Sequence, residues 1–180
     1  MGHAAWFIRL AGCDVGCTWC DVKDSWDAAK HPWRTVADLV AEAAAQPARI
    51  AVVTGGEPLM HELGPLTSAL RDAGFRTHLE TSGSSPVSGA WHHICFSPKK
   101  FKAPVQGFHG LADELKVVVF NKHDLQWAEE HAARVRPDCA LYMQPEWGKR
   151  ETIAPIVVEY ALHHPRWRVS LQTHKYLNIP

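Results

Sequence analysis

Three cysteines carry the most evident chemistry of the chain. They stand as Cys13-Asp-Val-Gly-Cys17-Thr-Trp-Cys20, a C-x3-C-x2-C spacing. Three thiolates on one short loop can reach three irons of a cubane cluster, whereas a fourth would complete it. Three leave one iron open, and an open coordination position is what turns a metal site from structural to catalytic. Gly12 and Gly16 give the backbone freedom to wrap around such a group. The competing reading is a zinc knot or a set of buried thiols. Zinc usually takes four ligands, often in two CxxC-like pairs. No second pair exists here, although a histidine or Cys139 could complete such a site. A second candidate is Thr54-Gly55-Gly56-Glu57-Pro58, directly after a strand-like run. A double glycine there makes a tight turn, or lets backbone approach a ligand closely.

These residues need elements to hold them. Apolar, β-branched runs at Ala5–Leu10, Arg49–Thr54, Arg76–Glu80, His93–Phe96, Asp113–Phe120, Ala140–Gln144 and Trp167–Leu171 predict strands. Periodic segments at Thr35–Ala45, Leu66–Ala73, His123–Arg134 and Ile153–His163 predict helices. Thr35 is placed to cap the first, and Gly74 to end the second. The alternation of strand and helix implies a parallel α/β sheet with crossover helices. In such folds reactive groups gather at the carboxyl ends of strands. TGGEP, ETSG, SPKK, QPEWG and QTHKY all follow strand ends. The Lys99–Gly110 stretch is expected to be a mobile loop. The apolar end YLNIP is expected to dock, since free termini are otherwise disordered.

Composition removes several function classes. The chain has 180 residues, 46% of them hydrophobic, which suits one domain with a real core. Lys+Arg and Asp+Glu are equal at 19 each, and no basic stripe suggests nucleic-acid binding. No apolar run is long enough to span a bilayer, and Met1–Cys13 does not read as a signal peptide. An odd count of five cysteines, three of them clustered, argues against a disulfide framework and for a reducing, cytoplasmic compartment. Cys95 and Cys139 lie in apolar runs and read as core thiols. The 12 histidines lack metal-ligand spacing and read mostly as surface or packing residues. The tryptophans other than Trp19 read as packing.

The cysteine loop, with an aromatic before its last cysteine, resembles that of the radical S-adenosylmethionine (SAM) superfamily, and TGGEP resembles that superfamily's GGEP motif. A finer resemblance is to the 7-carboxy-7-deazaguanine synthase (QueE) family. It is carried by Phe7–Cys13 (FIRLAGC), Thr18–Asp21 (TWCD), Thr54–Pro58, Glu80–Gly83 (ETSG), Ser97–Lys99 (SPK), Glu114–Val119 (ELKVVV), Gln144-Pro145 and Gln172–Pro180 (QTHKYLNIP). These run through nearly the whole chain in family order, and the terminal nonapeptide is the most specific. The resemblance implies an incomplete (β/α) barrel and a lyase with a [4Fe-4S] cluster. It implies the conversion of 6-carboxy-5,6,7,8-tetrahydropterin to 7-carboxy-7-deazaguanine, with loss of ammonia, toward queuosine and other deazapurines. Hydrogen is removed from the pterin C6 and later recovered, so SAM acts as a true cofactor.

Carried over residue by residue, the resemblance assigns the cluster to Cys13, Cys17 and Cys20. Trp19, Asp21, Gly55, Gly56, Thr81, Ser97, Lys99 and Gln144 would line the SAM pocket. Arg9, Thr54, His174 and the carboxylate of Pro180 would face the pterin. The chemistry agrees with this, since a substrate carboxylate suits a bidentate Arg9 and a pterin amidine edge suits a carboxylate. Arg9 is also open to reading as an ordinary strand cation, and His174 as a packed tail histidine. Glu114 and Lys116, two apart on one strand face, are open to reading as a structural ion pair.

Two departures stand out. Family members carry a Gln-Gly-Glu-Gly segment before FIRLAGC, and the chain is expected to be a single core domain over residues 1–180 without it. The family also carries a Thr after the Cys-Asp pair, whose hydroxyl binds Mg²⁺. Here Val22 offers no oxygen, so a Mg²⁺ would depend on substrate and water oxygens. The resemblance further implies a homodimer and an electron donor such as a flavodoxin or ferredoxin. Two alternatives remain at this stage: a radical SAM enzyme for another small heterocycle, and a non-catalytic metal-site protein.

Overall fold

Ile50–Gly55 (IAVVTG) shows why the strands form where they do. It is apolar and β-branched until its last two residues, and Ala51 and Val53 are fully buried. A computed structural model describes residues 2–178. It resolves into two compact units, divided in sequence between Phe108 and His109.

The first unit carries strands β1 (Trp6–Leu10), β2 (Ile50–Gly55), β3 (Arg76–Thr81) and β4 (His93–Phe96), each parallel to the next. Helices α1 (Val36–Ala44) and α2 (Gly64–Asp72) connect and cover them, and α2 packs on β3. Thr35 caps α1, its hydroxyl accepting from the Asp38 amide at 3.1 Å. Gly74 ends the α2 segment at a φ of +82°. Alternation sorts the sheet faces. Ile8, Val53, Leu79 and Phe96 are buried. Each such side chain contributes roughly 1.5–3 kcal/mol on leaving water. The opposite face carries polar groups: Arg9 opposite Thr54, His78 opposite His93 and Glu80 opposite Cys95.

The second unit carries parallel β5 (Glu114–Val119), β6 (Ala140–Pro145) and β7 (Trp167–Val169), with α3 (His123–Ala132) and α4 (Arg150–His163) against them. Glu129 of α3 ties the layer together. Its carboxylate accepts from the Tyr160 hydroxyl at 2.8 Å and the Trp167 indole at 2.7 Å.

The structure departs from the sequence expectations in four places. α4 begins at Arg150, three residues before the expected Ile153. The Glu146 carboxylate caps the turn Trp147–Lys149, accepting from the Gly148 and Lys149 amides, and that turn runs straight into the helix. Lys99–Gly110 is pinned as far as Phe108: the Val105 amide donates to the Gly83 carbonyl at 2.8 Å, and Phe108 is buried against Phe96. Ile179 and Pro180 lie outside the described residues, and the tail before them is not an extended strip. It forms the short helix α5 (Thr173–Leu177), with Tyr176 edge-on to Trp147 and Leu177 63% exposed. Five residues are too few for periodicity to announce a helix. Finally, Trp33 is 92% exposed and packs nothing.

The second unit also buries a histidine pair. His109 Nε2 and His131 Nδ1 lie 2.8 Å apart, with Trp127 edge-on to His131. One ring must donate and the other accept, so at most one of the two can carry a charge, and burial disfavours that one as well. Burial, then the neighbouring His109 and Arg134, push His131 down to about 4. An unfolded histidine titrates near ~6.5. Between these values the unfolded chain binds protons that the folded one refuses, so acidification costs stability in that window. Urea midpoints should therefore fall from about pH 7 to about pH 5. A His109→Leu/His131→Leu double variant should show a shallower fall, and equal slopes would rule out a buried neutral pair.

Candidate functional site

The site in the first unit is built by two loops that hold each other through their backbones. The cysteine loop leaves β1 at Leu10, and TGGEP leaves the neighbouring β2. The Gly56 amide donates to the Leu10 carbonyl at 2.9 Å, and the Glu57 amide to the Gly12 carbonyl at 2.8 Å. Between them, His61 Nε2 donates to the Ala11 carbonyl at 2.7 Å. Three consecutive carbonyls entering the cysteine loop are thus each held by the segment from Gly56 to His61. The approach demands glycine. A Cβ on Gly55, at φ +143°, would sit 1.9 Å from the Leu10 oxygen; one on Gly56 would sit 2.2 Å from the Gly12 oxygen and 2.8 Å from Cys13 Cβ.

Glu57 organises the next loop. Its carboxylate is buried and accepts from Thr81 Oγ1 at 2.5 Å, the Ser82 amide at 2.8 Å, the Ser82 hydroxyl and the Leu59 amide at 3.1 Å. The same hydroxyls accept from the Gly83 and Ser84 amides. A buried carboxylate is tolerable when hydrogen bonds replace its water so fully. Thr81 is thereby drawn to the edge that Gly55 and Gly56 present.

Cys17 is buried, while Cys13 and Cys20 are half-exposed. Burial pushes the Cys17 thiol up to about 11, against the opposing pull of nearby Lys99. Lys99 Nζ donates at 2.6 Å to both the Ser97 carbonyl and its hydroxyl. Trp26 donates its indole N–H to Cys20 Sγ at 3.4 Å. Trp19 meets Phe101 edge-on, and Asp14 pairs with Lys102 at 2.6 Å, so the 99–102 segment flanks the loop.

The donor set fits an iron–sulfur cluster. Three thiols share one loop, with an N–H donor on one sulfur and a lysine beside another. Among the described residues, no three His, Cys, Asp or Glu are grouped to hold a metal ion.

The first unit therefore places Cys13, Cys17, Cys20, Trp19, Asp21, Gly55, Gly56, Thr81, Ser97 and Lys99 at the carboxyl ends of β1–β4 or on the loops that follow them. Arg9 and Thr54 are register partners on β1 and β2, just before those loops. Gln144 and His174 belong to the second unit. The Gln144 side-chain oxygen Oε1 accepts from the Ser170 hydroxyl at 3.2 Å, and His174 lies exposed on α5. Pro180 lies outside the described residues. Sequence reasoning missed Trp26, His61 and Ser82. All three act through contacts between segments, which no local pattern reports. Only a tryptophan shortly after a cysteine loop could have drawn notice.

A parallel α/β arrangement whose first strand ends in a three-cysteine loop, locked to a glycine pair on the next, defines a radical SAM protein. The family model of the radical SAM superfamily matches residues 7–96. The 7-carboxy-7-deazaguanine synthase of Flavobacterium psychrophilum is 54% identical over 179 residues, 99% of this chain and 85% of the relative. That of Synechocystis is 47% identical over 178 residues, with the same coverage of each chain. That of Escherichia coli K12 is 33% identical over 208 residues, covering 99% and 91%. The crystal structure of QueE from Escherichia coli superposes with a TM-score of 0.80 at 30% identity, covering 95% of this chain and 86% of that one. The chain belongs to the 7-carboxy-7-deazaguanine synthase family, with the incomplete (β/α) barrel of the radical SAM type. The family implies a [4Fe-4S] cluster and SAM.

Replacing Glu57 by Gln turns one acceptor oxygen into a donor facing other donors. Urea unfolding should register a loss of roughly 3 kcal/mol. A loss near zero would mean that the carboxylate does not organise the 81–84 loop.

Proposed function

We propose that this chain contracts the ring of 6-carboxy-5,6,7,8-tetrahydropterin to 7-carboxy-7-deazaguanine, releasing ammonia. The observation that carries the reading is the register pairing of Arg9 with Thr54, on the strand ends that feed the cysteine loop and TGGEP. A cation and a hydroxyl on one sheet face, beside the cluster loop, suit an acid-bearing heterocycle. When bound, the [4Fe-4S] cluster held by Cys13, Cys17 and Cys20, with SAM beside it, would supply reversible hydrogen abstraction by a radical route.

The residues of the chain bind and orient. Cys13, Cys17 and Cys20 hold the cluster. The backbone of Gly55 and Gly56 receives the SAM ammonium. Trp19, Asp21, Thr81, Ser97, Lys99 and Gln144 line the rest of the SAM pocket. Arg9 holds the substrate carboxylate, with the strength of a charge-assisted bidentate contact. Thr54 and His174 are the further pterin contacts that the family resemblance assigns, with Pro180 carried over from the same terminal motif. Any Mg²⁺ beside that carboxylate is held by substrate and water oxygens, since Val22 offers none.

In this reading residues 1–180 act as a single radical SAM core domain. It works as a homodimer in the cytoplasm and draws electrons from a flavodoxin or ferredoxin. Five free cysteines support the reducing compartment. No helix of the described residues is long and apolar enough to cross a membrane.

Anaerobically reconstituted protein, given SAM, a reductant and the carboxypterin, should yield 7-carboxy-7-deazaguanine by mass spectrometry. 5′-Deoxyadenosine without that product would refute the pterin assignment and leave the radical chemistry standing. Cys17→Ala should lose both the brown colour and SAM cleavage; retained cleavage would remove Cys17 from the ligand set. Arg9→Ala should raise the pterin KM roughly ten- to hundred-fold, the worth of a hydrogen-bonded charge, while the cluster spectrum stays as in the wild type.

A further inference from the structure

The turn Lys23–Trp26 braces both ends of the cysteine loop. The Gly12 amide donates to the Ser25 carbonyl at 2.7 Å, and the Cys13 amide to the Trp26 carbonyl at 3.2 Å. The Trp26 indole N–H donates to Cys20 Sγ at 3.4 Å. Ser25 is buried and closes the turn, its hydroxyl donating to the Val22 carbonyl at 2.7 Å. Lys23 lies over the Trp26 ring, 5.9 Å from its centroid. Trp26 therefore touches the first cysteine through its carbonyl and the last through its indole.

We propose that Trp26 is a positioning residue that raises the reduction potential of the cluster through its N–H···S contact with Cys20. The proposal rests on the reading of Cys13, Cys17 and Cys20 as cluster ligands. Its physical basis is general. Hydrogen bonds to ligand sulfurs are among the levers that set cluster potentials. The couple takes up one electron, delivered by a low-potential carrier of the flavodoxin or ferredoxin class. That electron adds negative charge to the sulfurs, so a donor aimed at Cys20 Sγ stabilises the reduced form more than the oxidised one. Without the N–H, the same carrier would reduce fewer clusters. The backbone contact with Cys13 is independent of the side chain. A substitution at position 26 therefore separates the electronic role from the brace.

The test uses the full chain, reconstituted anaerobically with iron and sulfide. Four proteins are compared: the wild type, Cys17→Ala, Trp26→Phe, and a chain with Trp26 replaced by 3-benzothienylalanine. The last keeps the bicyclic shape and puts sulfur in place of the N–H. Iron content, thermal unfolding and a redox titration followed by electron paramagnetic resonance are read on each. The benzothienyl chain should hold wild-type iron and melt with the wild type. Its potential should be more negative, with about fivefold fewer clusters reduced at a fixed solution potential, the worth of one ordinary hydrogen bond. Trp26→Phe should move the potential the same way. An unchanged potential in a benzothienyl chain that holds its full iron would overturn the proposal. A wild type that holds no more iron than Cys17→Ala would overturn the cluster reading, and this proposal with it.

Discussion

The close approach of two backbones is the constraint on which the site depends. Gly55 and Gly56 come so near to Leu10 and Gly12 that no Cβ fits between them. Amide groups of the second loop then reach carbonyls of the first directly. A loop of three cysteines would otherwise be a flexible tether. Fixed in this way at Leu10, Ala11 and Gly12, the loop starts from one place, and that part of the entropy of ordering it is met in folding rather than in binding.

The parallel pairing of β1 with β2 makes that approach possible. Their register sets Leu10 opposite Gly55, so both loops leave the sheet at one level. The buried faces that hold this register are apolar and alternate with a polar face bearing Arg9, Thr54 and Glu80. One strand thus serves two ends: its inward residues fix the height of the loop, and its other residues furnish the substrate face. Glu57 extends the same logic to β3, because a carboxylate stripped of water must gather donors, and the donors nearest are Thr81 and Ser82. A residue of the motif thereby shapes a loop 24 positions away in sequence.

Elements of regular structure were largely legible beforehand. The sequence places β4 to the residue, and the other strands within one or two residues at each end, because short β-branched runs between polar turns have few other solutions. α1 was legible for a different reason: Thr35 has a hydroxyl where a helix needs an acceptor. The errors fall where a tertiary contact decides. Lys99–Gly110 looks like a free loop in composition, and the burial of Phe108 against Phe96, with the Val105 amide on the Gly83 carbonyl, reverses that. α4 starts early because the turn Trp147–Lys149, capped by Glu146, runs straight into it, and no periodicity displays that turn.

The chemistry was legible in residue type and spacing. Cys13, Cys17 and Cys20 are close in sequence, so one short loop must bring them together whatever the fold. The GlyGly of TGGEP, read beside them, already announced a backbone meant to be approached. What approaches it lay beyond the sequence. The carbonyls captured by Gly56, Glu57 and His61, the donors around Glu57 and the indole on Cys20 are contacts between separate loops and turns. Spacing along the chain determines which groups share a loop; only the packed sheet decides which loops meet, because hydrogen bonds act over ångströms and not over sequence positions.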